Sequence, residues 1–268
     1  MDLKNKIDIY IIYVSEERKQ FLEKQFETLD LNLNIVYFKG YTPETLRDYL
    51  YKGTSKWNNS LERCQTGMHS HIMAMKEWYD TSKKQYILVL EDDVSLLKEN
   101  FVEKLTNVIN IYNDNKDIDY ISIGYLPVFD KKSVPVKREN LGRKNSGDVY
   151  WDFLHIGHFI WGCQAQLYER EKVKKITDIL VQENANLFET VVETYLKTNK
   201  MHQMKYLAWG PDTIFTMLFS QAIVSPPLAI EKQLISTIGK EGYEKTRLAH
   251  LLKVEEHGLL SLKDYYGF

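Results

Sequence analysis

Cysteine is scarce. Cys64 and Cys163 are the only two in 268 residues; they stand far apart without CxxC spacing, which argues against a disulfide framework and against a thiolate zinc site. Two buried thiols are the plainer expectation. An excess of positive charge is also lacking, since 35 Lys and Arg face 37 Asp and Glu for a formal net charge of -2. The electrostatic footprint of a nucleic-acid-binding protein is therefore missing. Long apolar runs are missing too. The first one, inside MDLKNKIDIYIIYVSEERK, spans about eight residues against the roughly 20 of a membrane-crossing helix, and no small-residue cleavage site follows it. A soluble protein is expected. The phosphate loop GxxxxGK[ST] occurs nowhere, no GxGxxG follows the first apolar run, and the GxSxG elbow of serine hydrolases is absent. No repeat, low-complexity segment or clear linker divides the chain.

What is present is ample material for a core, with 44% apolar and 13% aromatic residues. Ile7 to Val14 is an apolar run without strict alternation, the pattern of a strand covered on both faces, and Ser15-Glu16-Glu17 supplies an N-cap and an acidic first turn. A helix over Glu16 to Leu29 follows. Leu33 to Phe38 reads as a second strand, Pro43 opens a short helix to about Tyr51, and polar Gly53 to Arg63 reads as a loop. Met68, Ile72, Met75 and Tyr79 share one face of a helix over Thr66 to Ser82, a stripe expected in the core. Gln85 to Leu90 is the third strand, Lys98 to Tyr112 a helix, and Asp119 to Ile123 the fourth strand. This alternation predicts an α/β fold with a mostly parallel twisted sheet and helices on both faces.

The second half changes character. Leu126 to Asp148 reads as a long loop. The Trp-rich stretch YWDFLHIGHFIWGCQAQLY follows, then helices near Glu169 to Leu180 and Leu187 to Thr198, and a tail expected to be helical over Tyr243 to Val254. The expected organisation is a single domain over 1–268, with a ligand-binding half, 1–124, and a mixed α+β half, 125–268.

The third strand ends in three adjacent carboxylates, Glu91, Asp92 and Asp93. Ligands of open parallel sheets bind beyond the carboxyl ends of the strands. If the segment stays extended, Glu91 and Asp93 project to one side and Asp92 to the other. At about 4 Å two carboxylates repel by about 4 kcal/mol for an effective dielectric near 20. Either one is protonated or a cation sits between them, and hard ions such as Mg²⁺ and Mn²⁺ favour oxygen ligands. An EF-hand does not fit, because Leu96 and Val102 occupy the positions of its glycine and terminal glutamate. The bland alternative is a solvated acidic turn.

Several segments in order resemble glycosyltransferase family 25: IYIIYVSEERKQFLEKQF, IVYFKG, TGMHSHIMAMKEWY, ILVLEDDVSL, YISIG, WGCQAQLYEREKVKKI, GPDTIFTMLF and SPPLAIEKQLISTIG. Gly67 stands where the family carries a cysteine, two residues of its pattern before the Ser-His helix are missing, and so is the valine usual between Pro211 and Asp212. The resemblance implies a GT-A-like fold, a UDP-sugar donor, a glycan or glycoprotein acceptor, Mn²⁺ or Mg²⁺, and transfer of a hexose, galactose or glucose, with inversion.

In that implied arrangement Asp93, helped by Glu91, holds the metal, and Asp92 faces donor hydroxyls. Tyr13, Val14 and Ser15 cradle the nucleobase, and Arg18 reaches a ribose or phosphate. Ser70 and His71 contact the donor or buttress the acidic turn. His69 and His71, two apart on a helix, point away from each other. Asp212 is the expected catalytic base, with Asp152 as runner-up. The expected location is the cytoplasm, peripheral to a membrane bearing the acceptor. Two alternatives stand beside this: a glycoside hydrolase with paired carboxylates, insensitive to EDTA, and a degenerate relative that only binds glycans.

Overall fold

The computed structural model describes residues 2–29, 33–50, 58–126, 144–146, 149–154, 161–183, 185–199, 210–225, 227–232, 251–252, 255–256 and 260–267. In chain order the first half runs β1 (Ile7–Tyr13), α1 (Glu16–Leu29), β2 (Asn34–Lys39), α2 (Asn58–Thr81), β3 (Tyr86–Glu91), β4 (Val94–Leu96), α3 (Phe101–Asn113) and β5 (Tyr120–Leu126). The second half adds β6 (Lys144–Ser146), β7 (Val149–Leu154), β8 (Trp161–Glu169), α4 (Arg170–Leu180), α5 (Leu187–Asn199), α6 (Pro211–Leu218), β9 (Gln221–Ser225) and β10 (Ala229–Glu231).

These strands form one sheet in the order β2-β1-β3-β8-β5-β9-β7-β6, with β10 bonded to β5 and β4. β2, β1 and β3 are parallel, and β5 and β9 run the same way. β8 is inverted between β3 and β5, and β7 is inverted beside β9. The expected α/β class and the shared direction of the first four strands expected from sequence are present, while the inverted β8 was not anticipated.

β1 and β3 are covered on both faces, and their side chains alternate between two cores. Ile7, Ile9, Ile11, Tyr86, Leu88 and Leu90 pack with Leu22 and Phe26 of α1 and Phe101, Leu105 and Val108 of α3. Tyr10, Ile12, Ile87 and Val89 face Met68, Ile72 and Met75 of α2, with α4 and α6 beyond. The methionine stripe is core, as expected. Burying each large apolar side chain contributes roughly 1.5–3 kcal/mol.

Local departures have local causes. Residues after Pro43 form successive turns, with Leu46 N and Leu50 N donating to Thr42 O and Leu46 O, instead of the expected helix. α2 begins at Asn58, inside the segment expected to be a loop. Its polar N-terminal turns gave no apolar periodicity to read. The Arg170 guanidinium donates to Tyr79 O and Ser82 O at the other end of α2, tying it to α4. Most of the expected 126–148 loop and nearly all of the expected 243–254 helix lie outside the described residues. Among the described residues, no helix is long and apolar enough to cross a membrane.

Candidate functional site

β1, β2 and β3 end together. Ile12 is in register with both Phe38 and Glu91, so three carboxyl ends open on one sheet edge, where ligands of such sheets bind. A cavity of about 280 Å³ lies there. Its walls are the β1–α1 turn, the segment Tyr41 to Glu44 after β2, one face of α2, and the Glu91-Asp92-Asp93 turn.

The side-chain alternation expected across the acidic triplet stops early, because β3 ends at Glu91 and Asp92 and Asp93 form a turn into β4. Asp92 is 5% exposed. Its Oδ2 accepts from Val14 N at 2.8 Å and Ser15 N at 3.4 Å, and its Oδ1 accepts from Arg18 Nη1 at 3.1 Å. The same Nη1 lies 3.5 Å from Asp93 Oδ2. Asp92 and Asp93 therefore share one guanidinium instead of facing opposite ways. Burial pushes the Asp92 carboxyl above its ordinary pKa, opposed by the Val14 amide, Arg18 and the Ser15 amide. Asp92 thus caps the amides that enter α1, where a helix N-terminus favours a carboxylate.

Glu91 reaches toward α2, and its Oε1 lies 3.0 Å from His71 Nε2. His71 is 1% exposed, its ring edge-on to Phe215, and its Nδ1 has no hydrogen-bond partner among the described residues. Ser70 Oγ accepts from Tyr41 N at 2.9 Å and donates to Thr66 O at 2.7 Å, so it pins the segment leaving β2 to α2. Gly40 makes that crossing possible, since a Cβ there would lie 3.0 Å from Val14 Cγ1. Val14 sits at the mouth, 45% exposed. Tyr13, on the other face of β1, stands apart from the cavity; its ring meets Tyr37 edge-on, beneath the Lys19 ammonium.

His69 turns away from His71, with its ring 4.4 Å from that of Tyr41 and 5.9 Å from that of Phe188. Burial pushes its pKa down from 6.5 to about 4. The folded state therefore prefers neutral His69. The stability this contributes is fully present above pH 6.5 and is lost as pH falls toward 4, by about 3 kcal/mol in all. Denaturant titrations from pH 7 to pH 4 should show that loss, and His69→Gln should flatten it. An equally steep loss in the variant would place the acid sensitivity elsewhere.

Asp212 lies in the first turn of α6, after Gly210 and Pro211. Gly162 N donates to its Oδ2 at 3.1 Å from a backbone with φ +98°, a conformation suited to glycine. Asp212 is outside the cavity lining; its neighbour Pro211 approaches α2, where a Cβ on Gly67 would lie 3.9 Å from Pro211 Cδ. The negative charges of Asp212 and Glu91 both act on Cys64 and Cys163, whose thiols burial pushes up, Cys64 to about 11. Asp152 is on β7 opposite Ile223, with β9, β5 and β8 between it and β3. That is about 19 Å along the sheet. The side chain of Asp152 lies outside the described residues.

Several cavity residues escaped the sequence reading, including Tyr41, Glu44, Arg63 and Thr66. So did Glu231, 5% exposed, which is paired with Val94 beside the acidic turn and accepts from Gln164 Nε2 at 3.3 Å. The next residue, Lys232, donates its amide to Asp93 O at 2.6 Å. The only available signal was the acidic residue within SPPLAIEKQ.

Residues 6–146 match the model of glycosyltransferase family 25, described as an LPS biosynthesis protein. The chain belongs to this family. The glycosyltransferase has no match among curated proteins. Among solved structures it is similar to a glycosyltransferase involved in glycosylation of the major capsid of PBCV-1, at 12% identity and TM-score 0.36, over 93% of this chain and 100% of that one. It is also similar to the galactosyltransferase LgtC in complex with donor and acceptor sugar analogs, at 10% identity and TM-score 0.42, over 94% and 100%. Membership rests on the family match over residues 6–146. The matched span contains every wall of the cavity of this glycosyltransferase, whereas Gly162 and Asp212 lie beyond it.

Proposed function

We propose that the enzyme transfers a hexose, galactose or glucose, with inversion from a UDP-sugar to a hydroxyl of a glycan or glycoprotein in the cytoplasm, with a divalent cation at the acidic turn. The observation that carries this reading is the charge of the cavity. Glu44, Glu91, Asp92 and Asp93 face only Arg18 and Arg63 among the described lining residues, and Arg18 is held by Asp92 and Asp93. A diphosphate would meet a net negative wall, so a cation is needed between them.

The residues fit a hard divalent ion. Among the described residues no group of three or more His, Cys, Asp or Glu is arranged to hold one, but Mg²⁺-type ions take one or two carboxylates and complete their shell with phosphate and water. Asp93 and Glu91 would hold it, with Glu91 oriented by His71. When bound, the ion neutralises the charge that develops on the departing diphosphate.

The chain's own residues do the rest. Asp92 and Ser70 fix the two turns that frame the cavity, and Val14 borders the mouth where the nucleoside enters, with Ser15 beside it in the turn but outside the lining. The acceptor oxygen attacks the anomeric carbon as the bond to phosphate breaks, and its proton passes to Asp212. The Gly162 amide and the first turn of α6 hold that carboxylate in place. Asp212→Asn should lower kcat by about 10²–10⁴-fold with little change in donor KM. Asp152→Asn should not, and the reverse result would move the base to Asp152.

The reading as a whole is tested by incubating the protein with a panel of UDP-sugars and Mn²⁺ or Mg²⁺ and measuring UDP release. No release with any donor overturns it.

A further inference from the structure

Gln164 of β8 is 3% exposed and only half satisfied. Its Nε2 donates to Glu231 Oε2 at 3.3 Å, while its Oε1 is buried without a hydrogen-bond partner among the described residues. An unmet carbonyl oxygen in the interior costs stability, and a methionine of similar size would remove that cost. Stability alone does not account for the amide.

Its surroundings do. β8 advances four positions, from Ala165 to Trp161, while its partner β5 advances two, from Gly124 to Leu126. Such a bulge re-aims the groups within it. Inside it Gly162 has φ +98°, and the Gln164 carboxamide lies directly on that residue: a Cβ built on Gly162 would fall 2.2 Å from Gln164 Oε1 and 2.4 Å from Nε2. The Gly162 amide in turn donates to Asp212 Oδ2 at 3.1 Å. Glycine has wide backbone freedom, so the group packed on it decides where its N–H points.

The other end of the amide leads to the acidic turn. Glu231 pairs with Val94, the residue that follows the turn, and Lys232 N donates to Asp93 O at 2.6 Å. Gln164 thus bridges the turn proposed to hold the metal and the Gly162–Asp212 pair from the second half of the chain.

From this we infer that Gln164 is a positioning residue, whose carboxamide, anchored on Glu231, holds the Gly162 bulge so that Asp212 keeps a fixed place relative to the acidic turn. Buried as it is, it acts through Asp212. The inference rests on the reading of Asp212 as the base. The test uses the full chain with Gln164→Met, Asp212→Asn and both together, compared with the native protein for melting, for UDP binding in Mn²⁺, and for kcat and KM of UDP release from UDP-galactose and UDP-glucose.

Gln164→Met should melt cooperatively within about 10 °C of the native protein and bind UDP with native affinity. Its kcat should fall about 10–100-fold at unchanged donor KM, the scale of a reacting group displaced by about 1 Å. Added to Asp212→Asn, the same substitution should change kcat by less than about twofold, because the residue through which it acts is already gone. A native kcat in Gln164→Met, a loss of UDP affinity that matches the loss of kcat, a variant that does not fold, or a loss that multiplies with that of Asp212→Asn overturns the role of Gln164 and leaves Asp212 as it was. A native kcat in Asp212→Asn alone overturns the base reading and this one with it.

Discussion

Asp92→Ala is expected to lower the stability of the fold by about 3–5 kcal/mol, the cost of leaving half of a buried ion pair behind. For a chain of this size that is a fall in Tm of about 6–20 °C. The substitution strips the acceptor from the amides of Val14 and Ser15 and leaves Arg18, 8% exposed, with Asp93 Oδ2 at 3.5 Å. Each buried donor left without a partner adds its own desolvation penalty. Asp92→Asn keeps an oxygen for the amides but turns an amide toward the guanidinium or gives up one contact, so it should fall between the alanine variant and the native protein.

The sign of the pH dependence separates Asp92 from His69. Burial raises the Asp92 pKa above 3.8, so the folded chain binds that proton more readily than the unfolded one. Its contribution to stability then declines as pH rises through the interval above 3.8, opposite to His69. Melting followed by circular dichroism decides between two roles. A variant that melts like the native protein yet binds UDP poorly would make Asp92 a donor contact, as the sequence alone suggested, and not the clasp of the β1–α1 turn.

That contrast marks where the sequence was legible. The run Ile7 to Val14 announced a strand covered on both faces, and the side chains of β1 do divide between two cores. α4 and α5 were readable within a residue or so, because local apolar periodicity determines them. What local signals cannot carry is pairing at a distance. β8 lies in a stretch mixing Trp, Gly and Gln without a period, and its inversion between β3 and β5 follows from its contacts with strands far away in the chain. β4, three residues long, is too short to announce itself; Gln25 of α1 holds it by bonding Val94 O and Leu96 N.

At the site, residue types were legible and their partners were not. Glu91, Asp93, Ser70 and His71 do line one cavity. That Ser70 is occupied by Tyr41 N, and Asp92 by the β1–α1 turn, required knowing what stands across from them. Arg63 was hidden because the first turns of α2 are polar and read as loop.

The other large effect expected is on chemistry instead of folding. Asp93→Ala should reduce metal-supported UDP release by about 10³-fold or more, the scale of losing a principal electrostatic partner of the developing charge. The fold should survive it, because Asp92 still holds Arg18 at 3.1 Å and Lys232 still bonds the backbone oxygen of residue 93 at 2.6 Å. Glu91→Gln is the informative companion. Its side-chain oxygen can still accept from His71 Nε2, so the geometry is retained while one negative charge is lost. An effect of about 10–100-fold is expected, concentrated in the Mn²⁺ concentration needed for half-maximal rate. His71→Ala should shift that same concentration through the freed Glu91 side chain, and His71→Gln should restore part of it, which a general loss of packing would not do. If Asp93→Ala keeps the native rate at every Mn²⁺ concentration, the acidic turn is not where the diphosphate's charge is met. The negative excess of the cavity would then have to be offset by the donor's position away from it.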